Sequence, residues 1–504
     1  MTCRLAYGRA GLEITVPDTA AVTVVEPVFV PAIPDQEAAV AESLGRPIGS
    51  LPLRERVAPI DTVAVVFSDL TRPTPNAVLV PAVLAELAAA GIPPDRITLF
   101  NSTGTHRPNT RPELAGMLGE DVVSRYRIVQ NDARADGRHA PVGTTASGNE
   151  IHILKDFLAC SFKILTGFIE PHFFAGFSGG GKAIMPGLAR LDTVMRNHDA
   201  RTMDDPRSTW AVLDGNPVRA EVEETVAFVR PDFLVNVALN RDKRITAVFS
   251  GDVTTAYRAG TEFVRKTAMV EVASPFDIVV TSNSGYPLDL NLYQAVKGMS
   301  AAARIVRPGG SIVVAAECWD GIPEHGSFGR LLREAKDVDE LLARIRTPGF
   351  AMDDQWQAQI LALIVKKADV YVHADGLTPR QIETAKLRPC PSIDEQVALL
   401  LRRYGPRARV CVLPEGPQTV PYCPSGGPPH RPSGGPPHHP SGGPPHHPSG
   451  GPPHHPSGGP PHRPSGGPPL TRAGTPRQPS GRGTTPAAPR TGRSPGTSPA
   501  PREC

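Results

Sequence analysis

Residues 61–100 do most to fix the fold class. Asp61–Phe67 (DTVAVVF) is an apolar run of strand length, ending at Ser68-Asp69. Pro73 and Pro75 follow, and proline opens a helix without extending one backward. Val80, Val83, Leu84 and Leu87 then recur at i, i+3, i+4 and i+7, and Gly91 closes the helix. Ile97–Phe100 is the next strand. Strand, helix and strand with short turns between them require an α/β sheet. Open sheets of this kind hold ligands beyond the carboxyl ends of their strands. That rule singles out Asp69 and Arg72 after the first strand and His106 after the second. A further strand over Phe162–Phe168 delivers His172 to the same edge.

Residues 5–16 and 22–30 also read as short strands. A second series starts near residue 270: strands at Phe276–Thr281, Ser311–Ala316 and Asp369–His373, with helices predicted over Tyr293–Ala303 and Phe328–Ile345. The boundary is placed around Thr261–Pro275. The expected organisation is therefore two α/β domains, 1–265 and 266–424, with an active-site cleft between them. The last strand, Ala408–Leu413, is free to return to the first domain. Residues 425–504 are predicted to be a disordered tail, because Pro, Gly, Ser, His, Thr, Ala and Arg cannot bury enough apolar surface to offset ordering. Pro-Ser-Gly-Gly-Pro-Pro recurs there with a period of eight, and the tail holds eight of the 15 histidines. Repeat expansion or readthrough explains it without function; a flexible nickel or zinc reservoir is the functional alternative.

Charge and cysteine usage narrow the class further. The tail carries eight Arg against one Glu, which leaves −4 on residues 1–424 from a total of +3. A mildly acidic body gives no reason to expect a nucleic-acid partner. Seven scattered cysteines without a CxxC pair argue against a disulfide scaffold. MTCRLAYGRAGLEITVP lacks the apolar run of a signal peptide, and no membrane-length segment occurs, so a cytoplasmic protein is expected.

The chemistry concentrates in Gly167–His198, GFIEPHFFAGFSGGGKAIMPGLARLDTVMRNH. Gly179–Gly181 can bring backbone close to a bound group, and Lys182 follows at once. The run is not a Walker motif, because its spacing differs and Ala183 stands where a magnesium-binding hydroxyl would be. His106 and His172 each follow a strand beside turn residues, and near-neutral imidazoles suit general acid/base work. Arg72 suits a carboxylate or phosphate. Read alone, Lys182 is a phosphate partner or a nucleophile, and His198 is a metal ligand or a surface histidine. His139, His152, His325 and His373 read as structural or surface residues.

Five blocks in order carry a resemblance: SDLTRPTPN at 68–76, STGTHRP at 102–108, GFIEPHFFAGFSGGGKAIMPGLA at 167–189, RNH at 196–198 and SNSGYPLDLNLYQAVKGMSAA at 282–302. With a closing PEGPQTVPY at 414–422, they span about residues 8–422. The chain resembles the nickel-dependent lactate racemases and related 2-hydroxy-acid racemases and epimerases. The resemblance implies nickel held in a nickel-pincer nucleotide, a pyridinium-3-thioamide-5-thiocarboxylic acid mononucleotide, joined covalently to Lys182. It implies His198 as nickel ligand and His106 and His172 as the acid/base pair. It places Asp69, Thr71, Arg72, Gly179, Gly180, Tyr293, Gln294 and Lys297 around the cofactor and substrate. Gly181 departs from the proline of the family's lactate enzyme, which is expected to loosen the turn.

The implied reaction moves hydride, not a proton, from the substrate carbon, and the chain offers no strongly cationic pocket for a carbanion. Implied partners are a small 2-hydroxy acid and the enzymes that make the pincer cofactor, with neither nucleic acid nor membrane. Three alternatives stay open at this point. They are a racemase or epimerase for malate, phenyllactate, 2-hydroxyglutarate or a sugar acid, a non-catalytic nickel-binding protein, and a nicotinamide-dependent dehydrogenase. The last is disfavoured because no GxGxxG follows the first long strand.

Overall fold

The structure is a computed structural model that describes residues 1–17, 20–324 and 326–424. The expected tail at 425–504 and His325 lie outside the described residues. Two six-stranded sheets organise the rest. Their strands, in chain order, are β1 (Ala21–Val24), β2 (Val63–Ser68), β3 (Ile97–Ser102), β4 (Arg127–Gln130), β5 (Phe162–Phe168) and β6 (Phe233–Leu239), then β7 (Ile245–Gly251), β8 (Phe276–Ser282), β9 (Val306–Ala315), β10 (Asp369–His373), β11 (Arg388–Pro389) and β12 (Arg409–Leu413). The helices that matter for the site are α1 (Asn76–Ala89), α2 (Leu191–Asn197), α3 (Pro217–Val229), α4 (Val253–Ala268), α5 (Leu292–Ala303), α6 (Phe328–Glu334), α7 (Val338–Ile345) and α8 (Gln355–Lys367).

The first sheet has the order β7-β6-β5-β2-β3-β4 and is parallel except for β7. Its central strand β2 is buried on both faces, as a covered parallel sheet demands. Val63, Val65 and Phe67 meet Leu79, Val80, Val83 and Leu87 of α1. Ala64 and Val66 face the other way, into a core with Leu165, Ile184 and Met185. Each such buried Val, Leu or Phe contributes roughly 1.5–3 kcal/mol relative to exposure. The sheet therefore holds its carboxyl edge, and the loops on it, rigidly.

The second sheet has the order β11-β10-β9-β8-β12-β1 and is parallel throughout. The last long strand, β12, stays inside it between β8 and β1. β1 comes from the opposite end of the chain, so the N-terminal residues belong to the sheet of the C-terminal half. A hairpin of Thr2–Leu5 with Leu12–Thr15 precedes it, and Leu5, Tyr7 and Ile14 cover Ile278, Val280 and Val410. The strand predicted over 22–30 ends at Val24, because beyond Val25 the chain leaves the sheet for the other half.

The helix predicted over Phe328–Ile345 is two helices. Ala335 turns extended, and the Asp337 carboxylate accepts from the N–H groups of Asp339 and Glu340 to start α7. Between the sheets lies an aromatic cluster in which Phe173, Phe174 and Trp210 of one half meet Trp356 and Ala301 of the other.

Candidate active site

A cavity of about 150 Å³ opens where the carboxyl ends of β2, β3 and β5 face α5 and α8. Asp69, Arg72, His106, His172, Gly179, Lys182, His198, Tyr293, Gln294 and Lys297 all line it. Thr71 and Gly180 do not reach it. The Thr71 hydroxyl donates to Asp69 at 2.9 Å, and the Gly180 N–H donates to Asn236 at 2.8 Å. The structure thus gathers the residues that sequence scattered over more than two hundred positions.

The two histidines are held in opposite ways. Asp69 is buried, and its carboxylate lies 2.7 Å from Nδ1 of His106. Burial pushes Asp69 upward, but His106, Arg72 and Thr71 outweigh it and hold the carboxyl below its usual range. An ionised Asp69 only accepts, so Nδ1 of His106 donates to it, and Nε2 is the nitrogen left to exchange a proton with the cavity. In His172, Nδ1 accepts from the N–H of Ala175 at 3.2 Å. Burial and then the charges of Lys182, Lys297 and Arg72 hold His172 well below the ordinary imidazole value. A neutral ring whose Nδ1 accepts must carry its proton on Nε2. The cavity wall therefore offers Nε2 of His106 for proton exchange and Nε2–H of His172 as a proton donor.

Lys182 follows a tightly built turn. Gly179 has φ +74°, and a Cβ there would stand 2.5 Å from Asn236 Oδ1 and 2.8 Å from the Phe168 carbonyl oxygen. Gly181 is enclosed too, because a Cβ would come within 2.4 Å of Val226 in α3. The expected loosening at 181 is not found: α3 packs against the glycine and fixes it. Burial, followed by Arg219, Arg72 and Lys297, holds the Lys182 ammonium far below its ordinary pKa. Burial and Arg72 bring Lys297 down to about 8. Arg72 and Lys297 thus converge on one cavity beside the Lys182 amine, which corrects the expectation that no strongly cationic pocket exists. Their charges were invisible as a pair because they come from separate elements.

His198 ends α2 and is 4 % exposed. Its ring meets Phe174 edge-on at 4.9 Å and Trp356 at 5.0 Å, and its Nδ1 is buried without a hydrogen-bond partner. Burial and Lys182 lower its pKa to about 3, so the ring is neutral with a lone pair available. An orphaned imidazole nitrogen beside a cavity fits a borderline metal such as nickel, and a deprotonated, partly buried amine fits covalent attachment. The residues present suit the pincer nucleotide.

Trp356 was missing from the sequence reading. It lines the cavity from α8 and donates from Nε1 to the Tyr293 hydroxyl at 3.3 Å. Only a lone tryptophan at the start of an apolar helical run marked it. His139 has the structural place expected of it, buried with Nε2 2.9 Å from Asn131 Oδ1.

Two oppositely bonded imidazoles, a desolvated lysine and an isolated histidine on one cavity between two α/β halves suit a cofactor-dependent enzyme. Residues 7–211 match the lactate racemase N-terminal domain and residues 271–420 the lactate racemase C-terminal domain. The lactate racemase of Lactiplantibacillus plantarum is 36% identical over 385 residues, covering 76% of this chain and 90% of that protein. That of Thermoanaerobacterium thermosaccharolyticum is 34% identical, covering 76% and 89%. The structure of the latter's apoprotein superposes with a TM-score of 0.79 at 31% identity, over 84% of this chain and all of that one. A Thermotoga maritima protein at 17% identity and TM-score 0.60 shares the fold. The chain belongs to the lactate racemase family, isomerases whose defining cofactor is the nickel-pincer nucleotide. Among the described residues, no helix is long and apolar enough to cross a membrane.

Proposed function

We propose that this chain interconverts D- and L-lactate, with His106 and His172 handling the hydroxyl proton on the two faces of the substrate carbon. The observation that carries the reading is the opposite hydrogen bonding of the two rings on one cavity, Nδ1 to a carboxylate in His106 and Nδ1 to a backbone N–H in His172. Arg72 and Lys297 hold the substrate carboxylate. Nε2 of His106 takes the hydroxyl proton as the carbon is oxidised to the oxo acid. After the oxo acid turns over, Nε2 of His172 hands its proton to the oxygen as the carbon is reduced, and the proton that His106 took is passed on to His172, so that both rings return to their starting state. Lys182 is the attachment point of the nickel-pincer nucleotide and His198 the protein's nickel ligand. When bound, the nucleotide supplies the hydride acceptor that spares the site a carbanion. The Phe173, Phe174 and Trp356 wall excludes water from the oxo acid.

The test is racemisation of 2-deuterolactate in ordinary water by the loaded enzyme without added nicotinamide. Deuterium is expected to stay on carbon with a primary isotope effect. Washout into solvent refutes hydride transfer, while turnover of malate but not lactate, with retention, replaces the substrate. The same assay checks Asp69. Asp69→Asn keeps an acceptor for His106 Nδ1 but removes the charge that steadies its protonated ring. It is expected to lower kcat in both directions by about tenfold to a hundredfold, with KM for lactate little changed.

A further inference from the structure

Arg219 is the third residue of α3 and is 1 % exposed. Its Nε and Nη2 are buried without hydrogen-bond partners, and among the described residues no carboxylate lies within ion-pair distance of it. Its guanidinium stacks on the Tyr257 ring at 4.3 Å instead. A stacked ring is a weak partner for a buried guanidinium compared with a carboxylate. Burial of an unpaired cation is expensive, and the first turn of a helix disfavours positive charge. The carboxylate that acts on it is Glu223, one turn further along α3, and Arg258 of α4 opposes that effect.

The surroundings show what the charge acts on. Tyr257, beneath the guanidinium, also closes over Gly180, where a Cβ would stand 2.6 Å from its ring. Val222 and Val226, on the same helix as Arg219, enclose Gly181. Arg219 is thus clamped against the turn that presents Lys182. On the cavity side, the Lys182 ammonium lies 5.8 Å from the Phe174 ring centre. The other groups acting on Lys182 are Arg72 and Lys297, both cations on the cavity wall, and among charged side chains Arg219 affects it most.

We propose that Arg219 is a positioning residue for cofactor loading: a fixed buried cation clamped behind the glycine turn, which sets the reactivity of the Lys182 amine. This rests on Lys182 being the attachment point. Acetylation of the full-length apoprotein by acetic anhydride tests it without any cofactor. In that reaction the Lys182 nitrogen attacks a carbonyl, acetate leaves and the nitrogen's proton passes to water. Labelling of the Lys182 peptide is followed by mass spectrometry from pH 5 to pH 10. In Arg219→Met the labelling midpoint is expected to rise by about one unit, a tenfold fall in rate at every pH well below the wild-type midpoint. Arg219→Gln is expected to behave alike, and the thermal midpoint to hold or rise in both, because an unpaired buried charge is gone.

Unchanged labelling profiles in folded variants overturn the proposal. So does a lowered thermal midpoint with an unchanged profile, which makes Arg219 a packing residue. If Arg219→Met fails to fold, the Gln variant decides. The attachment reading fails separately, if wild-type protein made with the cofactor-synthesis enzymes carries no nucleotide mass on the Lys182 peptide.

Discussion

Lys182→Ala is expected to yield a folded protein without attached nucleotide, in which lactate racemisation drops to the uncatalysed background. The amine has no carboxylate partner among the described residues, and the turn that carries it is held from outside the side chain. Asn236 accepts from the Gly180 N–H at 2.8 Å, and α3 packs on Gly181. Truncation therefore removes a desolvated amine without removing a contact that the turn depends on. Stability is expected to hold or rise slightly, since burial disfavours the charged form of this group. Intact mass reads attachment, circular dichroism reads the fold, and a chiral lactate assay reads turnover. A nucleotide adduct persisting in Lys182→Ala would place the linkage at another nucleophile.

The second large effect is expected at His198. His198→Ala should reduce nickel in the purified protein to background while nucleotide mass on Lys182 persists. Turnover should fall by about a hundredfold or more, a loss of roughly 3 kcal/mol of transition-state stabilisation. The ring also fills space between Phe174 and Trp356, so the fold should lose about 1–3 kcal/mol. His198→Phe fills that space without a donor nitrogen and separates the two consequences: nickel should still be lost while the thermal midpoint recovers. Elemental analysis of both variants decides, and full nickel in either reassigns the ligand.

Much of this was legible in the sequence, for identifiable reasons. β2 declares itself because a buried parallel strand is a short unbroken apolar run, β10 because its buried valines alternate with half-buried residues, and α1 because its apolar residues keep helical spacing. The meeting of His106 and His172 on one cavity follows from their positions after strands. Three things were not legible. The origin of β1 in the second sheet depends on a partner at the far end of the chain, which no local pattern encodes. The break between α6 and α7 is made by one aspartate cap inside a segment of continuous helical periodicity. The cationic character of the cavity and the stranded charge of Arg219 exist only after helices from different parts of the chain are brought against the glycine turn.

The position of β1 has a consequence for synthesis on the ribosome. Ala21 pairs beside Arg409, so the strand waits for a neighbour that emerges about 390 residues later. At ~5–20 residues per second, that interval is about 20–80 s. The first sheet needs no strand downstream of Gly251 and has all of its strands a little past the middle of the interval. Throughout it, Ala21–Val24 and the hairpin before it are a nascent segment with an unpaired edge. The newborn chain therefore carries its own finished half together with a sticky leader, and the leader's time without a partner is set by translation speed. Slowing elongation after the first half lengthens that exposure without altering a residue of the finished enzyme.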